Sequence, residues 1–108
     1  MFNSSLNNPE LIESYQNGSN WYRIYSDGWI EQGGVAGTEF STSASGSNQT
    51  ITLLKPFANT NYTVSLTMST TNNNIDPAAQ LKMISKTKTS FTTLYSCSKN
   101  WLAFGQGA

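Results

Sequence analysis

An all-β fold, a small antiparallel β-sandwich, is what this sequence predicts, and three observations predict it. Apolar and polar residues alternate with period 2, most cleanly where Tyr62, Val64, Leu66 and Met68 stand against Thr63, Ser65, Thr67 and Ser69. Turn signals such as Asp27-Gly28 recur roughly every 8 to 12 residues. No long helical pattern is present, so the crossover helices of a parallel sheet have no place to form.

Residues 1–20 read as a lead-in. Within PELIESY, Asn8 as a cap, Pro9 at the first helical position and Glu10 in the first turn predict one short helical turn, stopped by Asn17-Gly18. Leu11, Ile12 and Tyr15 then share a face, which either packs on sister chains or on the domain's own core. The sandwich occupies residues 21–108. Its first element is WYRIYSDGWIEQGG, a β-hairpin in which Tyr22, Ile24, Trp29 and Glu31 alternate, Ser26-Asp27-Gly28 forms the tight turn and Gly33-Gly34 ends the second strand.

VAGTEFSTSASGSNQT is turn-rich, with a strand starting near Thr38 and a loop in its middle. QTITLLKPF predicts a strand ended by Pro56, which cannot donate to a central ladder. After the alternating strand around Val64, TTNNNIDPAAQ (70–80) is a long exposed loop. LKMISKTKT is a strand with Leu81, Met83 and Ser85 on one face. SFTTLYSC follows, and NWLAFGQG closes the chain, burying either Trp101 and Ala103 or Leu102 and Phe104.

At 108 residues there is room for one core, and with only 37% of residues apolar that core is marginal, so association with further copies is expected. The formal charge is zero and 11% of residues are charged. That excludes a nucleic-acid binder: Lys82, Lys86, Lys88 and Lys99 are dispersed, and Arg23 is the only arginine. Neutral Ser, Thr and Asn supply the polarity instead. The single cysteine, Cys97, rules out an intrachain disulfide, fits maturation in a reducing cytoplasm and reads as a small buried hydrophobe. No apolar run approaches the ~20 residues of a membrane span, and the first residues lack a signal-peptide pattern.

Histidine is absent, which removes Ser-His-Asp and Cys-His nucleophile systems and the usual zinc ligand sets. No cofactor motif appears, so neither catalytic residues nor a metal nor a cofactor is expected. A glycosidase-type carboxylate pair would have to come from Asp27, Glu31, Glu39 and Asp76. Asp27 is better explained as the turn residue, and Glu31 as an ion-pair partner of Arg23 across the hairpin. Arg23 has the alternative of stacking on an aromatic ring or holding a carboxylate, with the internal bridge to Glu31 the favoured reading. Trp21, Trp29 and Trp101 suit either a sugar-stacking platform or core and interface anchors, and the anchor reading is preferred. Ligand contacts are better sought in the loops, at Asn72, Asn73, Asn74, Ile75 and Asp76 and at Ser45, Ser47 and Asn48.

The residues Trp21, Tyr22, Arg23, Ser26, Asp27, Gly28, Trp29, Glu31, Gln32 and Gly33 resemble the opening motif of a small C-terminal domain of phage and prophage tail fibres. Pro56-Phe57, Tyr62-Thr63-Val64 and the closing Trp101-Leu102-Ala103-Phe104-Gly105 follow in the order that family shows. The end departs from it, with Gly105-Gln106 where many relatives have Gly-Tyr. The resemblance implies a homotrimeric knob at the distal tip of a fibre, with residues 1–20 leading in from the shaft. It implies a virion protein, made in the host cytoplasm, that binds a bacterial surface polysaccharide or an outer-membrane protein without cleaving it. Three alternatives stay open: a trimerisation cap that binds no ligand, a glycan-cleaving depolymerase domain, and a carbohydrate-binding module of a larger bacterial enzyme, which would be a monomer in solution.

Overall fold

Each regular element among the described residues of the computed structural model, 8–37, 48–68, 81–94 and 98–108, is a β-strand, and every ladder is antiparallel. The strands are β1 (Leu11–Asn17), β2 (Asn20–Tyr25), β3 (Trp29–Ala36), β4 (Gln49–Thr52), β5 (Thr63–Met68), β6 (Met83–Lys86), β7 (Ser90–Thr93) and β8 (Lys99–Gln106). They form a five-stranded sheet in the order β1-β2-β3-β8-β5 and a three-stranded sheet in the order β4-β7-β6. The fold class expected from the alternation is therefore the one observed.

The helical turn expected in PELIESY does not form. Leu11–Asn17 is an edge strand paired with β2 from Leu11↔Tyr25 to Asn17↔Asn20. A seven-residue helix has too few hydrogen bonds to offset its nucleation cost, whereas a strand of that length gains a full ladder. Asn17-Gly18 then serves as a hairpin turn rather than a helix stop. Gly18 has φ +63°, and among the described residues only glycines have positive φ, so Ser19 is ordinary. That pattern, with glycine first, belongs to the type II′ turn whose twist suits a hairpin. Leu11, Ile12 and Tyr15 do not reach the core: all three remain exposed, Ile12 by 65% at a register slip between Leu11 and Glu13.

The β2–β3 hairpin forms where expected. Gly28 takes φ +87°, its amide donates to Tyr25 O at 2.8 Å, and the Asp27 carboxylate accepts the Trp29 amide at 3.0 Å. Contrary to expectation, Gly33-Gly34 does not end β3, which runs on to Ala36. The glycines are there because neighbouring groups press on the strand. A Cβ on Gly33 would fall 2.7 Å from the Trp101 carbonyl oxygen and 2.9 Å from the Trp21 indole nitrogen, and one on Gly34 would collide with Asn20 Oδ1.

One face of the large sheet packs on the small sheet around Ile30, Ile51, Leu53, Phe57, Tyr62, Phe91, Trp101 and Ala103. Phe91 meets Trp101 edge-on at 5.6 Å, joining the two sheets, and Phe57 stacks on Tyr62 at 4.3 Å. Of the two options for the last strand, Trp101 and Ala103 face inward. In β5, Val64 and Leu66 pack on the core as the alternation predicts. β4 stops at Thr52, short of Pro56, because the chain turns inward there: Leu53 and Phe57 enter the core, and their amides donate to Thr89 O and Lys88 O, both at 2.9 Å. Met83 packs on the core, yet a register shift between Met83 and Ser85 breaks the shared face expected for them. The expectations for Thr38, Ser69 and Cys97 lie outside the described residues.

Gln32 is fully buried and holds this turn. Its amide donates to Lys55 O at 2.8 Å, while its Oε1 accepts from Leu54 N at 2.8 Å and Lys55 N at 3.1 Å. Lys99 is also fully buried, with Nζ 3.1 Å from Thr93 Oγ1.

Tyr62 pins the opposite side. Its hydroxyl lies 2.7 Å from Thr87 O and 2.8 Å from Ser90 O, and Lys86 Nζ donates to Tyr62 O at 2.7 Å. Burial pushes the phenol up to about 12 from its ordinary 10.0. Between those two values the unfolded chain has released the proton and the folded chain still holds it, so stability falls as pH rises. Urea unfolding measured from pH 9 upward is expected to show a loss of up to about 2 kcal/mol from this group by about pH 12. Tyr62→Phe should be less stable at neutral pH and lose less across that window. An identical alkaline loss in the variant would assign it elsewhere, for instance to Tyr22 and Tyr25.

Candidate functional site

The other face of the large sheet has no covering layer among the described residues, and the strand register fixes what it presents. Alternate residues point outward: Ser14 and Gln16 from β1, Trp21, Arg23 and Tyr25 from β2, and Trp29, Glu31, Gly33 and Val35 from β3. β8 adds Asn100, Leu102 and Phe104, and β5 adds Thr63, Ser65 and Thr67. Two features stand out on this face.

The first is an apolar stripe along the central strands β3 and β8. Trp29 lies against Phe104 with ring centroids 6.3 Å apart, and Leu102 sits opposite Gly33. Val35 stands opposite Asn100, which places it diagonally beside Leu102. Trp29 is 37% exposed, Leu102 37% and Val35 45%. Single exposed hydrophobic residues are ordinary on a protein surface, but four neighbours on two paired strands form a patch of the kind that marks an interface. Hydroxyls of β5 flank it on one side and Trp21, Arg23 and Tyr25 of β2 on the other, with Glu31 and Asn100 as the polar residues on its own two strands.

The second is a tile of two cross-strand pairs on the β1–β2 hairpin, Ser14↔Arg23 and Gln16↔Trp21. Gly33 leaves room for the Trp21 indole to lie across β3, and the Arg23 guanidinium carbon rests 5.3 Å from the indole centroid. Ser14, Tyr15, Gln16, Trp21 and Arg23 line a shallow depression of about 130 Å³ there.

The expected Arg23–Glu31 bridge is not formed. The two residues are directly opposite in the register, yet no carboxylate oxygen of the described residues lies within 4.0 Å of the guanidinium. Glu31 instead accepts the Tyr25 hydroxyl at 2.9 Å, which holds the Tyr25 phenol above its usual value. The cation–π contact with Trp21 takes the place of the bridge, as the flanking aromatics in the sequence allowed.

On the inner side of the same hairpin, Tyr22 donates to the Glu13 carboxylate, stacks on Tyr15 at 5.3 Å, and lies under Lys55 Nζ at 5.0 Å. The Tyr22 hydroxyl, followed by Lys55 at 3.6 Å, holds the Glu13 carboxyl below its ordinary range. Hairpin spacing gives no sign of this cluster, because Lys55 comes from a turn far along the chain.

Of the motif residues, Tyr22, Gln32 and Trp101 point inward, while Trp21, Arg23, Trp29, Glu31 and Gly33 point outward. Trp101 is a core anchor, and Trp29 is not. Asp27 and Gly28 make the turn. Of the loop residues expected to touch a receptor, Asn48 is exposed just before β4, and Ser45, Ser47, Asn72, Asn73, Asn74, Ile75 and Asp76 lie outside the described residues. Glu39 does as well.

No protein-family model and no curated protein matches the chain. Among solved structures it is similar to the selenomethionine structure of an N-truncated R2-type pyocin tail fiber, with a TM-score of 0.63 and 17% identity. The match covers 95% of this chain and 41% of the pyocin chain, so this sequence spans less than half of that protein. The chain therefore has a tail-fibre-like fold.

Proposed function

We propose that this chain is the receptor-binding domain at the distal tip of a phage-type tail fibre, assembled as a homotrimer and recognising a bacterial surface polysaccharide. The observation that carries the reading is the apolar stripe of Trp29, Val35, Leu102 and Phe104 on the open face of a tail-fibre-like fold. Such a stripe suits burial against sister chains, and a domain of marginal core gains stability from that burial. The neutral, hydroxyl-rich surface suits uncharged hydrogen bonding to sugar, and three sites per tip convert weak single contacts into firm attachment.

The domain acts by binding and not by cleavage. The two described carboxylates of the possible hydrolytic set are engaged elsewhere, Asp27 in its turn and Glu31 with the Tyr25 hydroxyl.

Fluorescently labelled domain applied to a panel of bacterial strains tests this reading. Binding that survives protease treatment of the cells and is lost after periodate oxidation supports a polysaccharide receptor, and the reverse pattern moves the receptor to an outer-membrane protein. A trimer that binds no strain favours a trimerisation cap, and release of soluble sugar from the bound cells favours a depolymerase.

A further inference from the structure

We infer that the Ser14–Gln16–Trp21–Arg23 tile is a subsite for a carboxylate-bearing sugar residue, with Arg23 as its anion-binding group. The inference rests on the receptor-binding reading and names the chemical class that one part of the surface would select.

Arg23 is the only arginine in a chain with very few charges, and it stands on the open face with no carboxylate partner in ion-pair range among the described residues. An arginine used as scaffold would take the carboxylate directly opposite it, Glu31, but that carboxylate is committed to Tyr25. The guanidinium is held instead against the Trp21 indole, itself admitted by the missing side chain at Gly33. Held beside the ring and without a carboxylate in range among the described residues, the guanidinium keeps N–H donors of the kind that receive a carboxylate through two parallel hydrogen bonds. Cross-strand pairing sets Ser14 opposite Arg23 and Gln16 opposite Trp21, all four lining the depression, and a serine hydroxyl and a glutamine amide can both donate to and accept from sugar hydroxyls.

The size of the depression decides the kind of ligand. At about 130 Å³ it is well below the ~300–1,000 Å³ that encloses a drug-sized molecule, so it receives one edge of one residue of a polymer. Arg23 is then the ligand-contacting residue, and Trp21 and Gly33 position it. Glu31 stands on the next strand and works against an incoming anion, so removing its charge strengthens the site.

The test uses the whole chain and follows the Trp21 indole N–H and Arg23 side-chain N–H signals by NMR during titration with glucuronic acid, glucose and glucose 1-phosphate. Glucuronic acid is expected to shift both signals, with glucose weaker by at least about tenfold. Arg23→Gln should abolish the response, Arg23→Lys should restore part of it, and Glu31→Gln should tighten it, each with an otherwise unchanged spectrum. An equal response to glucose and glucuronic acid, or none to either, overturns the assignment. A tighter response to glucose 1-phosphate also overturns it, leaving a general anion site. The receptor reading fails separately. Wild-type and Arg23→Gln chains that decorate cells equally well leave that reading standing and sink this one, whereas glucuronic acid binding without any cell binding does the opposite.

Discussion

Replacing Gln32 with leucine is expected to lower the unfolding free energy by about 2–4 kcal/mol, although the two side chains are similar in volume. The loss comes from the backbone that Gln32 serves. One buried amide satisfies two donors and one acceptor in the turn at Leu54 and Lys55, and that turn delivers Leu53 and Phe57 into the core. An apolar replacement leaves those groups half-buried without partners, each at about 1–3 kcal/mol, reduced where water reaches the turn. Gln32→Glu should be worse, because it forfeits the bond to Lys55 O and buries a charge. Urea midpoints at one fixed chain concentration check this, and a leucine variant within about 0.5 kcal/mol of wild type would show that the turn is held by its apolar anchors alone.

If the chain forms the proposed trimer, replacing Leu102 with aspartate is expected to leave it a folded monomer. Leu102 stands on a central strand in the middle of the stripe, and its side chain points away from the core. In a subunit interface the new carboxylate would be desolvated without a partner, at about 3–5 kcal/mol per copy. In a free monomer it would sit in water at little cost. Light scattering should therefore report the mass of one chain, 11.8 kDa, with an unchanged far-UV spectrum. Ser65→Asp, directly opposite on the neighbouring strand, offers a control: β5 lies at the polar rim, and the same charge there should weaken association far less. Loss of folded structure in Leu102→Asp would instead place Leu102 among the residues that stabilise the single subunit.

The strands are legible in the sequence wherever burial alternates. Val64 and Leu66 face the core and Thr63, Ser65 and Thr67 face away, as the period-2 pattern requires. The β2–β3 hairpin is legible because Asp27 and Gly28 carry their own turn chemistry. β1 is not, since none of its residues is buried and an edge strand without a buried face leaves no alternation to read. The Asn-Pro-Glu opening then resembles a helix start, and only the pairing partner decides otherwise. Gly33-Gly34 misleads for a related reason: a glycine required by a crossing indole looks the same in sequence as one that ends a strand. Trp29 and Trp101 look alike as well, and the register alone sends one outward and the other into the core. The Arg23–Glu31 juxtaposition is legible from hairpin spacing, but the choice between a carboxylate and an indole depends on side-chain competition with Tyr25, which spacing does not encode.

The most direct measurement is the solution mass of the wild-type chain by light scattering at micromolar concentration. Three chains of 11.8 kDa, about 35 kDa in all, are predicted, with the outward stripe buried between them. A stable particle of 11.8 kDa would contradict the fibre-tip assembly, because the stripe of Trp29, Val35, Leu102 and Phe104 would then remain exposed in water.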